Sequence, residues 1–578
     1  MQQYERWLEN TAADKEIFRE LEAIAGLDEE IADRFYRALE FGTGGLRGVL
    51  GAGTNRMNVY TVGKATQGLS SYLRSRFDAP SVAIAYDSRI HSDLFARTAA
   101  SVFAANEIMV YLYPRMMPTP ALSFAVRDLK CSGGVVITAS HNPAQYNGYK
   151  VYGPDGCQIT TEAAKTIQQE IDRVDPFDDV KKMGFDAALA QGKITLIGEN
   201  TVSRYLAAEG TASVLPAGID RDVLIVYTPL NGTGLSCVPR CLKEHGFTRL
   251  IMPQEQDHPD GRFPTCPYPN PEIREALSVG LRLAERTKSD LLLATDPDCD
   301  RVGAAVRDGD AYTLITGNEM GVLLFDFICK MRIANGTMPK NPVAVKTIVT
   351  TPMAARLARH YGVELIDVLT GFKFIGEQIG RLEERNEAER FVFGFEESYG
   401  YLSGTFVRDK DAVNASLMIC EMFAWYRAQG KSLVDVLEEL YSRYGCYQSR
   451  LLSFEFRGAE GFAAMQRFME ELRENPPARI LDMEVKAVGD YLHSFIRHAD
   501  GRRETVELPA SNVLRFWLSG DSEIVIRPSG TEPKLKVYVT TVADSSTASC
   551  RLADRLAEVF AEMVQESGKD APGQDRKG

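Results

Sequence analysis

The stretch GGVVITASHNPAQYNGYKVYG, residues 133–153, runs from an apolar strand-like segment into a loop of turn residues that holds Ser140, His141 and Lys150. A serine at the mouth of a strand, with Asn142 and Pro143 behind it, has two readings. One is a surface turn. The other is a nucleophile or phosphate carrier presented at a strand end.

The pattern around this stretch repeats. Short β-rich runs recur at VAIAY (82–86), GVVIT (134–138), VLIVY (223–227), LLLAT (291–295), VAVKT (343–347) and FVFGF (391–395), with helical patterns between them. That alternation is the α/β signature. Three of the runs end abruptly in polar loops: TASHNP (138–143), TDPDCDR (295–301) and GFEESYG (394–400). Ligands of α/β sheets bind beyond the carboxyl ends of the strands, so three related units could each present a loop to one cleft. Upstream, Ile31, Phe35 and Leu39 recur at every fourth position, and the first forty or so residues read as helix. Downstream, AEGFAAMQRFMEELREN, then VLRFWLSG, EIVIRPSG and KLKVYVTT, then a closing helix, give the order of an α+β domain. The polar tail GKDAPGQDRKG has no periodicity and reads as frayed.

The length, 578 residues, predicts several domains. A net charge of −13 argues against nucleic acid as a partner, because a phosphate backbone needs a basic face. No apolar run approaches the ~18–20 residues that span a bilayer, and the charged N-terminus lacks a signal-peptide core. A cytoplasmic location is expected. The ten cysteines form no C-x-x-C pair and read as reduced, mostly buried thiols.

In TDPDCDR, Asp296, Asp298 and Asp300 alternate, so an extended backbone would aim all three carboxylates to one side. Three like charges that close repel unless a cation sits among them. Hard oxygen ligands suit Mg²⁺. A calcium hand needs glycine and glutamate at its sixth and twelfth positions, where Arg301 and Arg307 stand. A solvated acidic turn is the plainer reading. The loop T-A-S-H-N lacks the G-x-S-x-G elbow of a hydrolase, and His141, adjacent in sequence, is awkwardly placed to deprotonate Ser140. A serine that carries phosphate needs a metal and cations nearby, and Lys150 follows the turn Asn147-Gly148. In RPSGT, Arg527 with Ser529, Gly530 and Thr531 makes either a phosphate cradle or a solvated hairpin turn. The glycine-dense FGTGGLRGVLGAG (41–53) carries Arg47 but matches neither Walker A nor G-x-G-x-x-G. In GFEESYG, Glu396 and Ser398 could hold sugar hydroxyls or face solvent.

Together and in this order, ASHNP, DPDCDR, GFEES and RPSGT resemble the α-D-phosphohexomutase superfamily, over roughly residues 40 to 545. FGTGGLRG, TGFKFIGE and GFEESYGY look most like its phosphoglucomutase/phosphomannomutase branch, which also contains phosphopentomutases and the glucose-1,6-bisphosphate synthase. The resemblance implies three related α/β domains with mixed sheets plus a C-terminal α+β domain, heart-shaped around a central cleft. Their expected bounds are 1–204, 205–317, 318–449 and 450–578. It implies that Ser140 is a phosphoserine, and that its phosphate oxygen with Asp296, Asp298 and Asp300 binds Mg²⁺. Arg47 and Lys150 would flank the transferring phosphoryl group, Lys150 as candidate general base. Arg301, Lys346, Thr370, Gly371 and Lys373 fall on substrate-contact segments. Glu396 and Ser398 match the sugar-hydroxyl loop, and Arg527, Ser529, Gly530 and Thr531 the distal phosphate loop. Many relatives read G-E-x-S-G-H. Here E-E-S-Y-G-Y has no histidine, and His141 or Lys150 only partly fills that gap.

The implied activity is reversible phosphoryl transfer between glucose 1-phosphate and glucose 6-phosphate. It runs through a phosphoserine enzyme and a glucose 1,6-bisphosphate intermediate, in a monomer or weak homodimer. Phosphomannomutase, phosphopentomutase or bisphosphate synthase activity are near alternatives. A Mg²⁺-dependent sugar phosphatase and a catalytically dead sugar-phosphate sensor belong to other classes.

Overall fold

The computed structural model describes residues 1–42, 44–456, 458–529 and 534–569. The chain divides into two compact units. One comprises residues 1–345 with 371–434, the other residues 346–370 with 435–578.

The first unit opens with three short helices, α1 (Gln2–Asn10), α2 (Lys15–Ala23) and α3 (Asp28–Phe35). The single helical stretch expected over the first forty residues is therefore divided. Asp14 accepts a hydrogen bond from the Ile17 amide and starts α2 as an N-cap. Leu39 lies beyond the end of α3 and so outside its helical face. Tyr4, Trp7, Ile17, Leu21, Ile24 and Ile31 bury together with Ala52, packed against Phe35, Tyr60 and Phe177.

Six strands follow: β1 (Leu46–Val49), β2 (Ser81–Tyr86), β3 (Met109–Leu112), β4 (Gly133–Ile137), β5 (Tyr146–Tyr152) and β6 (Ile194–Leu196). They form one mixed sheet in the order β1-β5-β4-β2-β3-β6. β2 runs parallel to β3 and β4, whereas β5 returns antiparallel to β4. A second sheet is built from β7 (Ile225–Thr228), β8 (Leu250–Ile251), β9 (Leu291–Thr295), β10 (Val302–Asp308) and β11 (Ala311–Ile315), in the order β11-β10-β9-β7-β8. Here too β9 is parallel to β7 on one side and antiparallel to its return strand β10 on the other. Beyond β12 (Val343–Thr347) and β13 (Glu364–Val368), β14 (Phe391–Glu396) turns back into β15 (Gly400–Leu402), again antiparallel.

The three polar loops thus occupy equivalent places. Each lies between a strand and its antiparallel return. Each contains one non-glycine residue in the left-handed region: Ser140 (φ 52°), Cys299 (φ 54°) and Tyr399 (φ 64°). Such a residue reverses the chain tightly, at a strain that surrounding contacts must hold. The repeat that the sequence showed only as pattern is a shared hairpin geometry.

In the second unit the strands from Cys446–Glu455 to Lys534–Ala543 form an antiparallel sheet. Helices Gly458–Glu474 and Ser546–Lys569 belong to the same unit, and the core includes Phe468, Met469, Leu514, Phe516, Ile524, Val537, Leu556 and Phe560. This is the α+β arrangement expected. All ten cysteines are free, and all but Cys550 are buried. Among the described residues no helix is long and apolar enough to cross a membrane.

Candidate functional site

The Ser140 and TDPDCDR loops meet inside the first unit. Ser140 Oγ donates to Asp296 Oδ2 at 2.8 Å and lies 3.1 Å from His141 Nδ1. The Ser140 amide in turn donates to Thr138 Oγ1 at 2.8 Å. Adjacent side chains ordinarily diverge. The left-handed backbone at Ser140 turns these two toward each other and removes the awkwardness that adjacency suggested. Desolvation first, then the charges of Arg301 and Arg47, hold the His141 imidazole well below its usual range, so it is neutral.

The three aspartates converge by a different route from the one expected. The segment is a closed turn and not an extended strand. The Asp296 amide donates to Arg301 O at 3.2 Å, and the Cys299 amide to Asp296 O at 2.9 Å. Asp296 Oδ1 accepts the amides of Asp300 (3.1 Å) and Arg301 (3.0 Å), which fixes the carboxylate from within the turn. One oxygen from each of Asp296, Asp298 and Asp300 lies within 4.8 Å of the others, and all three residues are buried.

Cations surround this cluster. Lys150 Nζ lies 2.8 Å from Asp298 Oδ2 and 3.4 Å from Asp300 Oδ2. Lys410 Nζ lies 3.1 Å from Asp300 Oδ2 and 3.1 Å from Asp409 Oδ1. Arg301 pairs with Glu272 at 2.5 Å, and Arg47 donates to Asn142 Oδ1 at 3.1 Å. Desolvation alone would lower Lys150, but Asp298 and Asp300 outweigh it and raise its pKa. Lys150 is therefore an ammonium here, suited to stabilising charge or donating a proton. Burial pushes Asp296 far above the usual carboxylate range, and Asp298 and Asp300 add to the rise. For Asp298 and Asp300 burial acts in the same upward sense, but the lysines outweigh it and leave both below the usual range.

These residues fit a divalent cation. Asp298 Oδ1 and Asp300 Oδ1 are buried and accept no hydrogen bond among the described residues. They are hard oxygen donors left for a ligand that is not a hydrogen-bond donor. With Asp296 and a phosphate oxygen on Ser140 they would make an oxygen-only set suited to Mg²⁺.

Glu396, at the end of β14, is buried and accepts the Gly371 amide at 2.9 Å. Gly371 has φ 123°, a conformation that favours glycine, and so brings its N–H to that carboxylate. Desolvation raises the Glu396 carboxyl to about 7, against the opposing pull of Lys410 and Arg301. Ser398 and Lys373 are half-buried, and burial lowers the pKa of Lys373.

The remaining sequence candidates lie in the second unit. Lys346 is buried, paired with Asp367 at 3.0 Å and donating to Thr347 O and Thr350 O, both at 3.2 Å. Thr370 Oγ1 is buried and makes no hydrogen bond among the described residues. Arg527 donates to Tyr538 Oη at 3.4 Å, and the Ser529 amide to Lys534 O at 2.7 Å. Gly530 and Thr531 lie outside the described residues.

Sequence reading missed three members of the site. Lys410 follows an RD pair with no motif around it. Thr119 Oγ1 donates to Asp298 Oδ2 at 3.0 Å, from a helix N-terminus far upstream. Glu272 anchors Arg301. None carries a spacing signal, because each meets its partner only through the fold.

Four domain models of the phosphoglucomutase/phosphomannomutase family match the chain in order. The α/β/α domains I, II and III match residues 38–177, 205–309 and 316–444, and the C-terminal domain matches 495–559. A phosphoglucomutase of Staphylococcus aureus (strain MSSA476) is 37% identical over 93% of this chain and 94% of its own. The chain belongs to the phosphoglucomutase/phosphomannomutase family. Among solved structures, a family protein from Burkholderia thailandensis superposes with a TM-score of 0.66 at 18% identity, covering 93% of this chain and 98% of its own. The open form of the Paramecium phosphoglucomutase pp63/parafusin gives 0.67 at 17%, covering 93% and 96%. At these identities the likeness is one of fold. This phosphohexomutase is an isomerase, and its buried aspartate triad fits a metal ion.

Proposed function

We propose that this phosphohexomutase interconverts glucose 1-phosphate and glucose 6-phosphate, with Ser140 as the phosphate carrier. The reading is carried by the hydroxyl of Ser140, 2.8 Å from one of three buried aspartates that have Lys150 and Lys410 beside them. The curated Staphylococcus aureus relatives named phosphoglucomutase support the choice of glucose.

In the first half-reaction the Ser–O–P bond breaks as a P–O bond forms to the free sugar hydroxyl, giving a 1,6-bisphosphate. The serine oxygen takes up a proton and the sugar hydroxyl loses one. His141 is within hydrogen-bond reach of Oγ, and Lys150 holds an ammonium beside the cluster. The intermediate then reorients, its other phosphate passes to Ser140, and the isomer leaves. Bound Mg²⁺, held by Asp296, Asp298, Asp300 and the phosphoserine, would offset charge on the transferring group. Arg47 flanks that group, and Glu396 and Ser398 read sugar hydroxyls. Lys410, which acts electrostatically on Glu396, supplies a cation beside the sugar-hydroxyl loop. Arg301, Lys346, Thr370, Gly371 and Lys373 contact substrate, and Arg527, Ser529, Gly530 and Thr531 hold the resident phosphate. Glucose 1,6-bisphosphate is the activator that primes Ser140. The enzyme works in the cytoplasm as a monomer or weak homodimer, in four domains bounded as the sequence suggested.

The deciding experiment is a coupled assay with Mg²⁺ and a trace of glucose 1,6-bisphosphate, run in parallel with mannose and pentose phosphates. Glucose should give the highest kcat/KM. A higher value for mannose or pentose reassigns the sugar. Net bisphosphate accumulation identifies a synthase, and steady phosphate release a phosphatase. No isomerisation of any sugar phosphate rejects the mutase reading.

A further inference from the structure

The loop that carries Ser140 is closed around a single guanidinium. Arg89 Nη2 donates to Ser140 O at 2.5 Å and to Asn142 O, and Nη1 donates to Pro143 O and Tyr146 O, both at 2.9 Å. Its Nε pairs with Asp87 Oδ2 at 3.3 Å. The side chain is wholly buried. Asp87 is held in turn by the Arg89 amide (2.9 Å) and by Ser92 Oγ (2.7 Å). A guanidinium offers five N–H donors in a rigid fork, whereas a lysine ammonium offers three. No other side chain could serve these four carbonyls and the carboxylate together.

The clamp has a lid. The ring of Phe263 lies 5.1 Å from the guanidinium carbon. Gly261 bridges to Arg89, so close that a Cβ there would come within 2.5 Å of Ser88 O and Ile90 N. The segment that covers the clamp precedes the strand leading into the aspartate loop. Arg89 therefore touches both the loop that carries the hydroxyl and the segment at residues 261–263, upstream of β9.

We propose that Arg89 is a positioning residue for phosphoryl transfer. It holds Ser140 in its left-handed conformation, and Phe263 keeps the guanidinium in place. The guanidinium hydrogen-bonds the loop carbonyls and not the reacting oxygen, so it acts through the loop. The proposal rests on the reading of Ser140 as phosphate carrier. The loop is anchored at both ends by β4 and β5, so its removal should loosen residues 140–146 without dismantling the sheet. A displacement near 1 Å at a reacting group slows a reaction by roughly 100-fold.

The test is phosphate uptake by Ser140 from glucose 1,6-bisphosphate, followed by intact mass in the full-length enzyme with Mg²⁺, alongside steady-state kinetics. Arg89→Lys should slow uptake and kcat by about 100-fold while KM changes by less than about threefold. Arg89→Ala should be equally slow, and millimolar guanidinium should partly restore it, which a general loss of folding would not allow. Phe263→Leu, which keeps the clamp and removes its lid, should slow uptake by about tenfold. If the Arg89 variants do not fold, the Phe263 variant decides. Wild-type uptake rates in the folded Arg89 variants, or in Phe263→Leu, overturn the proposal alone. A wild type that takes up no phosphate overturns the phosphoserine reading and the proposal with it.

Discussion

Ser140 Oγ donates a 2.8 Å hydrogen bond to Asp296 Oδ2, joining a loop of the first sheet to a loop of the second. Of the three aspartates, Asp296 has no lysine within ion-pairing distance among the described residues. It is also the one that burial and its neighbours drive toward the neutral acid. Repulsion among the three buried carboxylates leaves the triad electrostatically frustrated at Asp296.

That frustration predicts how metal and stability are linked. Added Mg²⁺ should raise the thermal midpoint of the wild type, because it binds only the folded state. Asp296→Asn should not lower the midpoint in chelator, since a neutral amide replaces a group that burial already favours as the neutral acid and keeps an acceptor for the turn amides. It should lose the response to Mg²⁺ and at least about 100-fold in kcat. Differential scanning fluorimetry with and without chelator reads both. A full Mg²⁺ response in the variant contradicts the assignment.

Lys410 is paired with Asp300 and Asp409 and nearly buried. Lys410→Met takes the ion-pair partner from buried Asp409 and leaves Asp300 to Lys150, a loss of about 3 kcal/mol. Urea denaturation measures it. A stability within about 0.5 kcal/mol of wild type would show that the pair is solvated after all.

Glu396 gives a pH signature. Its folded pKa, about 7, is above its ordinary 4.5. Between those values the folded state holds a proton that the unfolded state has released. Stability therefore falls as pH rises from about 4.5 to about 7, by up to about 3 kcal/mol. Glu396→Gln should flatten that slope in denaturation curves taken at several pH values. An unchanged slope would assign it to other groups.

In the second unit, Asp367 stands between two cations, Lys346 at 3.0 Å and Arg515 at 3.3 Å. Arg515 is further held by Glu523 at 2.6 Å. Asp367→Asn removes the shared anion and should free the Lys346 ammonium to move. KM for the sugar phosphate should rise several-fold with kcat less affected. An unchanged KM would remove Lys346 from the substrate-binding set.

Trp7 on α1 is buried with edge-on contacts to Phe35, Tyr60 and Phe177. Trp7→Ala should cost about 3–5 kcal/mol if the N-terminal helices unfold with the rest of the unit. A separate, early transition in denaturation would show that they do not.

The sequence by itself determined the order of strands and loops, the hydroxyl at the end of GGVVI, and the presence of three carboxylates two residues apart. These follow from short-range rules, since alternation, turn residues and strand-end position act within a few neighbours. The tertiary structure alone decided which charges face which. Lys410 reaches Asp300, Thr119 reaches Asp298, and Arg89 reaches the Ser140 loop, each from a distant part of the chain. It also decided that the aspartates converge through a turn closed on their own amides and that α3 stops before Leu39. Burial is the reason. A charge taken out of water must be paired, and its partner is whichever side chain the fold brings within reach, a choice that no local spacing encodes.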